Sequence, residues 1–221
     1  MHERPLTLDA LRASARDFLR ELSSRAIPEL FGVTDGKAVG THVEHAFHEY
    51  LGERHSHTSG SSASGIDFPE LGVDLKVTSM RQPQSSCPFV DASQKVYGLG
   101  YHLLVFVYDK ADDDARRVAG LSFEHGIFIS RERTGDYQTT LGLQGILERG
   151  GNKDDVVAFL EERNLPLDEI GRERLAERIL RDPPLRGYLT VSNALQWRLQ
   201  YGRVITLATS GEADGVENLL G

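Results

Sequence analysis

The chain is poor in the residues that would commit it to several common classes. It has one cysteine, Cys87, among 221 residues. A lone cysteine closes no internal disulfide and supplies no Cys-rich zinc cluster. A reducing cytoplasm fits that usage. No apolar run is long enough to span a bilayer, so no membrane association is expected. The N-terminus lacks the basic-then-apolar layout of a secretory signal. Positive charge is also scarce: 25 Lys and Arg against 33 Asp and Glu leave a net charge of −8. That balance argues against a surface that grips nucleic acid everywhere, because phosphate binding needs a basic footprint. It leaves room for a local one. Acids crowd into 109–114, 153–170 and the C-terminus, whereas Lys76 to Val105 holds a single acid, Asp91, together with Arg81 and Lys95.

What is present reads as an α/β chain without internal repeats. Leu8, Leu11, Ala15, Phe18, Leu19 and Leu22 follow helical spacing over 8–23, with Thr7 as N-cap. Pro28 interrupts, "TDGK" at 34–37 is a turn, and a second helix is predicted from about 38 to 51, with Val39, Val43, Phe47, Tyr50 and Leu51 as its buried stripe. The small, polar 55–65 segment reads as a loop. A strand follows at 72–78. "GYHLLVFVYDK" (100–110) is apolar enough for a strand buried on both faces, and "GIFISRER" (126–133) for a further one. Helices are predicted over 152–163 and 167–181, ended by Pro183-Pro184. "GYLTV" (187–191) reads as a short strand, Ser192 as the cap of a short helix "NALQWRLQYG", and "RVITLA" (203–208) as a last strand. The order implies a mixed sheet flanked by helices.

The chemistry concentrates in "GIDFPELGVDLKVT" (65–78). Alternation puts Val73, Leu75 and Val77 on one face of the strand and Asp74, Lys76 and Thr78 on the other. A bend across Pro69 and Leu71-Gly72 can return Asp67 to the strand that carries Asp74. Two carboxylates and the Leu75 carbonyl make an oxygen-rich site for a hard cation. Lys76, on the Asp74 face, can orient a water or stabilise charge on a phosphate.

The arrangement D-x6-(D/E)-x-K, preceded by a helix carrying an acid, resembles the PD-(D/E)xK nuclease superfamily. "GKAVGTHVEHAF", with Gly40 and Glu44, and "DFPELGVDLKVT" are similar to its MutH-like branch, which holds type II restriction endonucleases and a mismatch-repair nickase. Asp74 stands where that branch usually has Glu. The resemblance implies a restriction-endonuclease-like fold: a mixed central sheet flanked by helices, in a single nuclease domain over 1–221. Its core motif region would span about 36–133, and a helical and strand part about 150–221. It implies Mg²⁺ held by Asp67, Asp74 and the Leu75 carbonyl. Lys76 would act on the attacking water, and Glu44 would hold a second ion or a water. The implied substrate is double-stranded DNA, cut at a specific short sequence by a cytoplasmic homodimer. A strand nickase, a non-catalytic DNA-binding module and a histidine-ligated zinc protein are the alternatives.

Several other residues carry expectations. Arg81, Gln82 and Gln84 have side chains that read base edges or bind phosphates. Lys95 is a candidate further active-site lysine or DNA contact, and Arg131 and Arg133 could face a groove. In "LQWRLQYGR" (195–203), Arg198 and Arg203 are candidate DNA contacts, while Trp197 and Tyr201 suit packing. His42, His45 and His48 recur every third residue, followed by His55 and His57, a spacing that could share a metal.

Overall fold

A computed structural model describes residues 4–58, 60, 65–87, 90–192, 197–211 and 213–221. In chain order its elements begin with β1 (Arg4–Pro5), α1 (Leu8–Ser23), α2 (Gly36–Gly52), β2 (His55–Ser56), β3 (Val73–Ser79), β4 (Gln84–Cys87) and α3 (Gln94–Tyr97). They continue with β5 (His102–Asp113), β6 (Val118–Ile129), α4 (Tyr137–Glu148), α5 (Lys153–Glu162) and α6 (Glu169–Arg181), and close with β7 (Thr190–Val191), β8 (Trp197–Gln200), α7 (Gly202–Ser210) and β9 (Val216–Asn218). The central sheet has the order β3-β5-β6-β9, with β3 and β5 parallel and the other pairs antiparallel. A three-stranded antiparallel sheet, β4-β8-β7, lies beside it. This is the mixed α/β architecture that the element order implied, and the restriction-endonuclease-like fold that the resemblance implied. Among the described residues no helix is long and apolar enough to cross a membrane.

The two long strands form a hairpin whose side chains divide cleanly. Leu104, Phe106 and Tyr108 join the core with α1, α2, Val73 and Leu75. Leu103, Val105 and Val107 join a second core with Trp197, Leu199, Tyr201 and Val204. The uninterrupted apolar run of β5 is therefore needed by both layers. α4, α5 and α6 share a third apolar cluster built on Leu143, Val156, Leu160 and Ile179. Local chemistry sets the helix starts. Thr7 caps α1 through Ala10 N–H, Asp35 caps α2 through Lys37 N–H, and Asn152 forms a capping box with Asp155.

Three sequence expectations are corrected. "RVITLA" is helical, not a strand: Val204 and Ala208, four residues apart, turn the same side inward, and Gly211 ends α7 in a left-handed conformation. The β-branched residues suggested a strand, but helical burial overrides that preference. The expected helix at 193–202 lies partly outside the described residues, and its described part, Trp197–Gln200, is strand β8 with buried and exposed residues alternating. "GIFISRER" pairs as a strand only to Ile129; Arg131–Arg133 is a 3-10 turn, because the apolar residues that face a core end there. Neither strand β4 (Gln84–Cys87) nor helix α4 was anticipated.

Candidate active site

Strand β3 is an edge strand of the central sheet, in which it pairs with β5. A tight hairpin folds the preceding chain along its open side. Phe68 N–H donates to Val73 O at 2.9 Å and Val73 N–H to Phe68 O at 3.2 Å, with Gly72 at φ +61° making the turn. That hairpin carries Asp67 back to the strand, where its Oδ2 accepts from Leu75 N–H at 2.7 Å. A strand residue's N–H and C=O leave the same edge, so the Leu75 carbonyl also points to this open side rather than into the sheet.

Asp74 lies on the opposite face from Val73 and Leu75 and is only 3 % exposed. It is buried because β4, β8 and the chain before β5 cover this face. Its charge acts on Cys87, Tyr101 and Tyr201, all of which have their acidities lowered by burial. Lys76 Nζ stands 2.7 Å from Asp74 Oδ2. Desolvation pushes the Asp74 carboxyl up to about 7; the Lys76 ammonium opposes that shift, and a hydrogen-bond contact with Asp67 adds to it. Asp74 Oδ2 is thus buried, with the Lys76 ammonium against it. A carboxylate held this way favours a cation beside it.

Helix α2 completes the cluster from the open side. The helix lies against β3 at Gly40, where a Cβ would be in ordinary contact with the Val77 side chain and carbonyl at 3.8 Å. One turn on, Glu44 reaches Asp67. Its carboxyl is shifted upward, first by burial and then by the Asp67 charge, with Lys76 opposing. His48 follows at i+4 on the same helix face. One ligand atom each from Glu44, His48 and Asp67 lie within 4.8 Å of one another. The His48 ring stacks on Phe68 at 4.9 Å between centroids and on His57 at 5.9 Å. Burial holds its pKa below the usual histidine value, which favours the neutral, metal-ligating imidazole. The donor set of carboxylates, a strand carbonyl and one imidazole suits a divalent cation. Among the described residues no cluster of three histidines exists; His48 joins two acids instead of His42 and His45. The i, i+4 pairing of Glu44 with His48 was the sequence signal for it.

The residues predicted to touch DNA divide into two groups. Arg81, Gln82, Gln84 and Arg198 line one groove of about 970 Å³ that runs past Val77, Thr78 and Ser79 at the end of β3. The others lie outside that groove. Lys95 is 2 % exposed, with its ammonium 5.8 Å from the centre of the Trp197 ring. Arg131 pairs with Glu132, and Arg133 reaches Asp214 at 2.7 Å. Arg203 lies over Tyr137, its Cζ 3.5 Å from the ring centroid.

Comparison with known proteins gives the family. The family described as type II restriction enzyme NspV matches residues 5–218. The chain belongs to this family. Type II restriction enzyme NspV of Nostoc sp. (strain ATCC 29411 / PCC 7524) is 57 % identical over 211 residues, spanning 96 % of this chain and 95 % of the Nostoc protein. No solved structure matches. Membership of the NspV family covers every element of the site, from α2 through β3 to the groove formed with β8.

Proposed function

We propose that this NspV-family protein is a Mg²⁺-dependent type II restriction endonuclease of the PD-(D/E)xK superfamily, within its MutH-like branch. It hydrolyses phosphodiester bonds of double-stranded DNA at a specific short sequence. The observation that carries the reading is the buried Asp74–Lys76 pair, 2.7 Å apart, next to Asp67 and Glu44. Three carboxyl groups, those of Glu44, Asp67 and Asp74, here share the single ammonium of Lys76. A cation would relieve all three.

Asp67, Asp74 and the Leu75 carbonyl are the residues that would hold Mg²⁺, with Glu44 and His48 facing the same space. The ion's contribution, when bound, is Lewis acidity and neutralisation of charge at the scissile phosphate. The chain's own groups do the rest. The Leu75 N–H fixes one Asp67 oxygen and leaves the other free to turn inward. Lys76 is partly exposed, at 22 % of its side chain, so its ammonium can swing from Asp74 towards a phosphate oxygen or an attacking water. Phe68, Val73 and Leu75, all buried, hold the hairpin and strand rigid beneath these groups. A homodimer would present two such sites to the two strands of a palindrome, matching protein symmetry to site symmetry.

Digestion of a mapped plasmid by the purified protein, with Mg²⁺ and with EDTA, tests the reading. Discrete fragments whose sequenced ends share one short motif are expected with Mg²⁺, and intact plasmid with EDTA. Full cutting in EDTA would remove the metal, and nicking only with a protein partner would favour a repair nickase.

A further inference from the structure

We propose that the outward face of the β4–β8 ribbon reads base edges in the major groove, with Gln84, Arg198 and Gln200 as the specificity-determining residues. The proposal rests on the nuclease reading above and assigns it a recognition element.

The register defines the face. Gln84 lies opposite Gln200 and Ser86 opposite Arg198 across the antiparallel pair. Directly opposed residues share a face, so these four side chains stand together. The alternate pairs, Ser85 with Leu199 and Cys87 with Trp197, turn the other way. Cys87, Trp197 and Leu199 are core residues, and Ser85 Oγ meets Tyr201 OH at 2.5 Å. The ribbon is thus clamped from behind. Its front is polar, with Ser86, Arg198 and Gln200 exposed.

The ribbon is also tied to the catalytic strand. Gln84 N–H donates to Thr78 Oγ1 at 3.0 Å, and Thr78 Oγ1 lies 3.1 Å from Gln84 O. Tyr201 N–H donates to Pro83 O at 2.9 Å, which fixes the end of β8 to the entry of β4. Thr78 is two residues beyond Lys76, roughly 7 Å along a strand. That is about two base pairs of a DNA duplex at ~3.4 Å each. A duplex with its phosphate at Lys76 would bring base edges over this face.

Charge and side-chain chemistry agree. Among the described residues the salt bridges of Arg81, Lys110 and Arg133 each go to an acid, whereas Arg198, on the ribbon, has none. Its exposed guanidinium puts positive charge on this face of a chain whose net charge is −8. β8 is the middle strand of its sheet, so Arg198 and Gln200 stand at the centre of this face, flanked by β4 and β7. Arg pairs in bidentate fashion with guanine O6 and N7, and Gln with adenine N6 and N7. The face therefore suits a recognition sequence that contains both purines.

The test starts from the site that the wild-type protein cuts, defined by end-sequencing. A duplex of about 25 base pairs carrying that site, and a scrambled duplex of the same composition, are titrated with Ca²⁺ present against wild type, Arg198→Ala, Arg198→Lys, Gln200→Ala and Gln84→Ala. Each variant should lose roughly ten- to a hundredfold in affinity for the site duplex, the magnitude of one bidentate base contact. Affinity for the scrambled duplex and thermal melting should hold. Arg198→Lys should fall as far as Arg198→Ala, since a lysine keeps the charge but not the fork. Cleavage of single-base-pair variants of the site should lose discrimination at one position per variant. Equal losses on both duplexes would make these residues phosphate contacts and overturn the proposal. So would unchanged discrimination, or a changed sedimentation state that makes this face a subunit contact. A wild-type protein that neither cuts nor binds either duplex refutes the nuclease reading itself, and is seen before any variant is made.

Discussion

Asp74→Asn should stabilise the metal-free protein at neutral and alkaline pH. Asp74 is 3 % exposed and its carboxyl is shifted from 3.8 to about 7, first by desolvation. Between those values the folded state binds more protons than the unfolded one, so wild-type stability falls as pH rises from about 4 to 7 and flattens above. The shift is about three pKa units at ~1.4 kcal/mol each, or up to ~4 kcal/mol. Asn fills the same volume without the charge, so its advantage should be near zero at pH 4 and should grow to roughly 2–4 kcal/mol by pH 8. For a chain of this length that is on the order of 5–15 °C in melting temperature. Thermal melts in EDTA across pH 4–9 measure it. Millimolar Mg²⁺ should then raise the wild-type melting temperature and leave Asp74→Asn nearly unmoved, because cation binding to the folded form adds stability only where the ligand remains. An Asn variant that melts at or below wild type in EDTA at pH 8 would refute the reasoning. Lys76 would then already compensate the carboxylate, and the site would be a settled ion pair.

Three further outcomes follow from the same geometry. Lys76→Ala should lower the cleavage rate by several orders of magnitude while keeping DNA affinity and fold, whereas Val73→Asp, which puts a charge at a fully buried position, should lose folding, binding and cleavage together; wild-type cutting by Lys76→Ala would end the nuclease mechanism. His48→Ala should weaken Mn²⁺ binding more than Mg²⁺ binding in calorimetric titrations, since an imidazole favours the softer transition ion; equal effects would place His48 outside the ligand set. DNA affinity should fall steeply with added salt despite the net charge of −8, because only a local groove meets phosphate; a flat salt dependence would mean that phosphates are not the main contact.

Much of the site was legible because its pieces are local. Pro69 and Gly72 mark the turn that returns Asp67 to the strand, and strict alternation separates Asp74 and Lys76 from Val73 and Leu75. Both signals depend only on neighbours in the chain. The apolar run of β5 likewise announced a strand covered on two sides. The errors came where a segment's state depends on what packs against it. "RVITLA" has the residues of a strand but turns Val204 and Ala208 onto one core as a helix. "WRLQ" has a strand's alternation in four residues, too short to outweigh the helical look of its surroundings.

By itself, then, the sequence determined the order of most elements, the two faces of β3 and the grouping of Asp67, Asp74 and Lys76 at one strand. Only tertiary structure decided the depth and company of those groups. Asp74 is buried because β4 and β8 cover a face that alternation alone would leave open to water. His48 joins Asp67 because α2 packs along the open edge of β3, which its own helix cannot specify. Lys95 is withdrawn beside Trp197, while Arg198, one residue further along β8, points outward. Spacing in the chain sets which way a side chain leaves the backbone; the packing of distant segments sets whether it meets solvent, a core or another charge.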